Sequence, residues 1–155
     1  MLKAMLNTEN NPAQMMIRLA LGAVMLPHGA QKVLGWFGGS GYAGTLSQFL
    51  SLGFPRWAVI MLMVTELGGA LFLVAGFLTR LWALAIGVAM ALCLQMYHVQ
   101  HGFFMNWGGQ QGGEGFEFHI LLLAIAMALV FGGGGALSVD RKLAGAQRRS
   151  GGLSF

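Results

Sequence analysis

The segment RWAVIMLMVTELGGALFLVAGFL, which begins at Arg56, is apolar from end to end apart from that arginine, Thr65 and one carboxylate, Glu66. Its length matches the roughly 20 residues that an α-helix needs to cross the hydrocarbon core of a bilayer. Lipid offers a carboxylate no hydrogen-bond partner, so Glu66 must be protonated, paired or turned towards a polar interior. A second apolar run, MMIRLALGAVMLPHGAQKVLG, puts Arg18, His28 and Lys32 under the same constraint. The chain reads as a bundle of membrane helices, and its polar interior is where function is to be sought.

Composition agrees. Of the 155 residues 56% are hydrophobic and 9% charged, against about 25% charged in soluble domains. The net charge of +4 does not point to nucleic acid. Arg141, Lys142, Arg148 and Arg149 cluster in the tail, where they read as a topology signal and a lipid-facing patch. The single cysteine, Cys93, excludes an internal disulfide or dithiol pair. An apolar run disfavours thiolate, so Cys93 reads as a small packing residue. Redox work would have to pass through a cofactor, a quinone or a partner.

Four candidate spans emerge, at residues 14–33, 57–77, 81–97 and 116–131. The third is long enough if it continues to Val99, and the fourth has to borrow length from residues 132–136. The first lacks a cleavage site after a short hydrophobic core and reads as a retained span. Thr79 and Arg80 form a tight link between the second and third spans, which makes these antiparallel. The two other links, GWFGGSGYAGTLSQFLSLGFPR and HGFFMNWGGQQGGEG, are rich in glycine and aromatic residues and share one side. Within the first, TLSQFLSLGF suits a surface amphipathic helix with Leu46, Phe49, Leu50 and Phe54 as its apolar face. Small residues at four-residue spacing (Ala83, Gly87, Ala91; Ala85, Ala89, Cys93; Ala124, Ala128, Gly132) offer helix-packing faces.

Lys3, Arg80, Arg141, Lys142, Arg148 and Arg149 lie on the side of the termini, and only Lys32 and Arg56 on the other. The positive-inside rule then puts both termini in the cytoplasm. The expected fold is all-α: a polytopic four-transmembrane-helix bundle over residues 1–143, with a basic flexible tail at 144–155.

At a rise of about 1.5 Å per residue, Glu66 lies about 13 Å below the outer boundary. That is between the levels of Arg18 and His28, so either could reach it. Arg18 could also snorkel to the cytoplasmic interface. His28 and Lys32 share a helix face beside Pro27, whose missing donor suggests a kink next to a pocket. A second polar cluster stands at the outer ends of the third and fourth spans: Gln95, His98, His101, Glu114, Glu117 and His119. Glu114 and Glu117 also suit the first turn of a helix. His98, His101, Glu117 and His119 could form a metal site, but their spacing is not that of di-iron bundles, no cysteine is read as accompanying them, and no metal is assigned. No nucleophile–base pair, phosphate loop or dinucleotide fingerprint is present, and GGSG and GGQQGGEG read as outer loops.

The motifs His28-Gly29-x-x-Lys32, Glu66-Leu-Gly-Gly, Leu78-Thr79-Arg80, the segment at 115–118 with Glu117, and Ser138-Val-Asp140-Arg141 stand in one order along the chain. In this the chain resembles the DoxX family of small bacterial membrane proteins, from Arg18 to Leu143. The resemblance implies four membrane helices and kinship with the DoxD-type subunit of a thiosulfate:quinone oxidoreductase. It implies a membrane subunit of a quinone-linked oxidoreductase system in sulfur or oxidative-stress metabolism, in the bacterial inner membrane. A quinone is the implied, non-covalent cofactor, with redox proteins of the membrane or periplasm, or a second copy of the chain, as partners. The family supplies no settled catalytic assignment. The matching polar residues are Arg18, His28, Lys32, Glu66, Arg80, His98 and Glu117.

On this reading a polar pocket opens to the periplasm. His28 and Glu66 carry the chemistry, and Arg18, Lys32, His98, Glu117 and His119 bind substrate. Histidine suits proton exchange with a quinone oxygen because it titrates near neutrality. Two other readings use the same residues: a small-solute or proton pathway or partner scaffold without enzymatic activity, and an Arg18–Glu66 tie that only fixes helix register.

Overall fold

The computed structural model describes residues 2–151, with side chains as far as residue 145. Those residues form seven helices: α1 (Leu2–Leu6), α2 (Pro12–Leu34), α3 (Gly41–Ser51), α4 (Arg56–Ala75), α5 (Thr79–His101), α6 (Glu117–Gly132) and α7 (Val139–Gly151). Among the described residues there is no strand. The long helices α2, α4, α5 and α6 pack side by side, α2 against α4 and α6, and α5 against α4 and α6.

By length and composition, α4 and α5 can each cross a membrane. At 23 residues α2 is as long as α5, but it is more polar. α6 has 16 residues, about 24 Å of helix. Of the residues 132–136 from which it was expected to borrow length, it takes only Gly132. The helix stops at Gly132 because Gly133 turns the chain at φ 76°.

Local signals account for the helix ends. Asn11 accepts hydrogen bonds from the amides of Ala13 and Gln14, and Pro12 opens α2. α2 runs through Pro27 and ends at Gly35, where φ is 73°. α4 ends at Gly76, with φ 70°. The link between the second and third spans is therefore Gly76–Phe77–Leu78, and Thr79 and Arg80 already belong to the first turn of α5. The amphipathic helix of the first loop is present as α3. Leu46, Phe49 and Phe54 pack on Val33, Val59 and Met63, while Leu50 is exposed. The expected boundary after Leu143 falls inside α7. Of the tail, the side chains of Arg148 and Arg149 lie outside the described residues, as do positions 152–155.

The first and last helices, α1 and α7, meet at one end of the bundle, where two arginines and an aspartate tie the helices together. Arg18, 1% exposed, donates to the carbonyls of Leu73 and Val74 at 2.9 Å each and of Ala136 at 3.4 Å. Arg80 donates to the carbonyls of Val130, Phe131 and Asn7. Each guanidinium thus satisfies carbonyls left open at a helix C-terminus, where positive charge is also favoured. Buried Asp140 accepts from the amides of Leu78 and Thr79 at 2.7 and 2.9 Å, which caps α5. An apolar core of Leu21, Met25, Leu73, Ile86, Leu122 and Leu129 lies above this layer. In it Gly87 of α5 faces Ala126 of α6 and Ala83 is fully buried; Ala91 and Ala124 face outward.

Candidate functional site

Glu66 is 2% exposed and bonds to Lys32, with Oε2 2.7 Å from Nζ. Its partner is therefore neither Arg18 nor His28. Helix register explains why. A Cβ on Gly29 would lie 2.5 Å from the backbone N and Cα of Leu67, so Gly29 and Glu66 stand at nearly the same level. Lys32 lies one turn above that level and reaches down. Arg18 lies eleven residues below Gly29, about 16 Å along the helix. Matched ends for α2 and α4 would set Glu66 between Arg18 and His28, whereas the observed register sets it level with Gly29. The backbone around Glu66 is itself irregular: Val64–Gly68 is a π turn set in α4, a feature that often accompanies functional sites.

Lys32 and Glu66 form part of the back wall of a cavity of about 920 Å³, with exposed His28 beside them. The cavity lies between α4 and α5. These helices touch along Gly69–Ala75 and the π turn, and separate along Arg56–Met63. Met61, Leu84, Val88 and Leu92 line the cavity and are each more than half exposed, so it opens along the flank of the bundle. At the loop end Phe54, Trp57, Met105 and Glu114 border it.

His98 and His119 complete the wall from the other side, their ring centroids 4.2 Å apart. His98 Nδ1 lies 2.9 Å from the Glu114 carbonyl oxygen. His119 is 6% exposed, and its Nδ1 has no hydrogen-bond partner. Cys93 joins them, and one ligand atom from each of the three lies within 4.8 Å of the others. A second π turn, Leu94–His98, begins just after Cys93 and ends with His98.

The other expected residues have different surroundings. Glu117 accepts from the Met105 amide at 3.0 Å, and Glu114 from the Asn106 amide at 2.7 Å, so both carboxylates hold the loop before α6. His101 packs on Gly113. Gln95 is exposed. Arg18 lies outside the cavity, among the helix ends. Five of the seven anticipated site residues (His28, Lys32, Glu66, His98 and His119) thus share the cavity, while Arg18 and Glu117 do not line it. Cys93, which the sequence alone presents as a packing residue, also lines this cavity. Residues five apart diverge on a regular α-helix, and only the wider π turn brings Cys93 and His98 to one side.

The DoxX family model matches residues 13–99. The chain belongs to the DoxX family. Over 115 residues it is 34% identical to the inner membrane protein YqjF of Escherichia coli (strain K12), which covers 70% of this chain and 79% of that protein. No solved structure matches it. This DoxX protein is a membrane protein, so the exposed apolar faces of α4 and α5 lie where lipid would be. The matched region holds Arg18, His28, Lys32, Glu66, Cys93 and His98; Glu117 and His119 lie beyond it.

Proposed function

We propose that this protein is a quinone-binding membrane subunit of an oxidoreductase system, with all four long helices crossing the bacterial inner membrane and both termini in the cytoplasm. The observation that carries this reading is the cavity between α4 and α5: apolar walls, an opening on the lipid-facing flank, and Lys32, Glu66 and His28 at the back. A quinone partitions into lipid and presents two carbonyl oxygens on a flat ring. Such a ligand needs a lateral apolar entrance and a few convergent polar groups. In this role Lys32 donates to one quinone oxygen, His28 exchanges a proton with it on reduction, and Glu66 holds Lys32 in place. Electrons come from a donor protein or a small sulfur oxyanion on the outer side.

The packing at the other end of the bundle favours ligand binding over a through-pathway. Between the cavity and that end, Arg18, Leu21, Leu73 and Leu129 are each no more than 3% exposed, so among the described residues close packing stands where a through-pathway would need to pass. The test uses Cys93, which lines the cavity and is the chain's one cysteine. In liposomes, a short-chain quinone should slow modification of Cys93 by a lipophilic maleimide, and membranes with the intact system should reduce that quinone with thiosulfate. Equal labelling with and without quinone would refute the reading.

A further inference from the structure

The cluster at the loop end of the cavity has the chemistry of a cation site. We propose that Cys93, His98 and His119 bind one thiophilic d10 cation, Zn²⁺ or Cu⁺, through a thiolate and two imidazoles. This goes beyond the quinone reading and does not depend on it.

Three independent features lead there. The first is convergence: residues from two helices, with Cys93 just before a π turn and His98 at its end, bring their ligand atoms within 4.8 Å of one another. In a tetrahedral site with metal–nitrogen and metal–sulfur bonds of about 2.0 and 2.3 Å, neighbouring ligand atoms lie about 3.3–3.6 Å apart. Closing the cluster needs only rotamer-scale movement. The second is His98. Its Nδ1 lies 2.9 Å from the carbonyl oxygen of Glu114; as N–H donor there, it leaves Nε2 with its lone pair free. Metal-bound histidines are commonly oriented this way, by donating the other ring nitrogen to a carbonyl or carboxylate. The third is His119, which is 6% exposed and whose Nδ1 lacks a hydrogen-bond partner. A buried polar atom left unpaired is destabilising, and a ligand that pairs it removes the penalty.

The donor set selects the cation. One thiolate and two neutral imidazoles suit zinc and cuprous ions, whereas magnesium and calcium want oxygen ligands. Glu117, the nearest carboxylate candidate by sequence, is already engaged with the Met105 amide. On binding, the Cys93 thiol releases its proton to water and the sulfur donates a lone pair to the metal, with no change of oxidation state. Cys93, His98 and His119 all line the cavity, so the fourth coordination position faces the same space as Lys32 and Glu66.

The full chain purified in detergent without metal is dialysed against Zn²⁺ alone and, under anaerobic reduction, against Cu⁺ alone. The expected result is one equivalent per chain of at least one of the two. Binding should weaken at least 100-fold in Cys93→Ser and in His119→Gln, and stay at wild-type strength in His101→Asn. With Co²⁺ as a spectroscopic probe, the wild type should show a thiolate charge-transfer band that Cys93→Ser lacks. Should His119→Gln not fold, Cys93→Ser together with the Co²⁺ band decides the matter. Absence of stoichiometric binding of either ion, or binding unaltered by Cys93→Ser, overturns the site. No quinone is present in these measurements, so failure of the quinone reading leaves their outcome unaffected.

Discussion

Removing either partner of the Lys32–Glu66 pair should destabilise the protein, but not equally. Glu66 keeps 2% of its side-chain surface exposed and Lys32 keeps 25%. In Lys32→Met the carboxylate is stranded in an apolar site, and breaking a buried pair this way costs about 3–5 kcal/mol. In Glu66→Gln the ammonium group can swing its stem towards the cavity mouth and find water, so the cost falls to about 1–2 kcal/mol. The double variant Lys32→Met/Glu66→Met replaces the pair with apolar volume and should return to within about 1 kcal/mol of wild type. Thermal unfolding in detergent, followed by tryptophan fluorescence, measures all three. At about 2–4 °C per kcal/mol for a chain of this size, Lys32→Met should lower Tm by roughly 6–20 °C. Glu66→Gln should lower it by roughly 2–8 °C. If Glu66→Gln proves the more damaging single change, or the double variant is as unstable as Lys32→Met, the assignment of burial and pairing is wrong.

Three further outcomes follow from the same geometry. Gly29→Ala places a Cβ 2.5 Å from backbone atoms of Leu67. It should destabilise by about 1–3 kcal/mol or more and weaken quinone protection of Cys93, whereas Gly22→Ala, whose nearest obstacle is a Val74 methyl, should be milder in the Tm measurement. Arg18→Met abandons three carbonyls, of Leu73, Val74 and Ala136. A loss of about 3 kcal/mol is expected, with quinone protection of Cys93 retained at temperatures below the lowered Tm; selective loss of protection would return Arg18 to the ligand site. Asp140→Asn turns an amide nitrogen towards the Leu78 or Thr79 N–H, and denaturant titration should show a loss of about 1–3 kcal/mol.

The polar residues were legible in the sequence because a bilayer penalises them individually: a charge inside an apolar run has to have a reason, and Glu66, Arg18, His28 and Lys32 each stand out without any knowledge of their neighbours. Their pairing was not legible, because it depends on how far α2 slides along α4. That slide is set where Gly29 lets the backbone of the π turn come close. The same applies to Asp140 and Arg80. Their motifs could be seen, but their use as helix-end caps depends on where Gly76 and Gly133 turn the chain.

Helical class, the apolar segments, the shared side of the two glycine-aromatic loops and the family are properties of residue order, since hydropathy and turn residues act locally. The tertiary structure alone decided three things: that Lys32 and not Arg18 meets Glu66, that α4 and α5 part to leave a lateral cavity, and that Cys93 joins two histidines. All three rest on register between helices and on two π turns, which depend on contacts between residues far apart in the chain and have no periodicity of their own in the sequence.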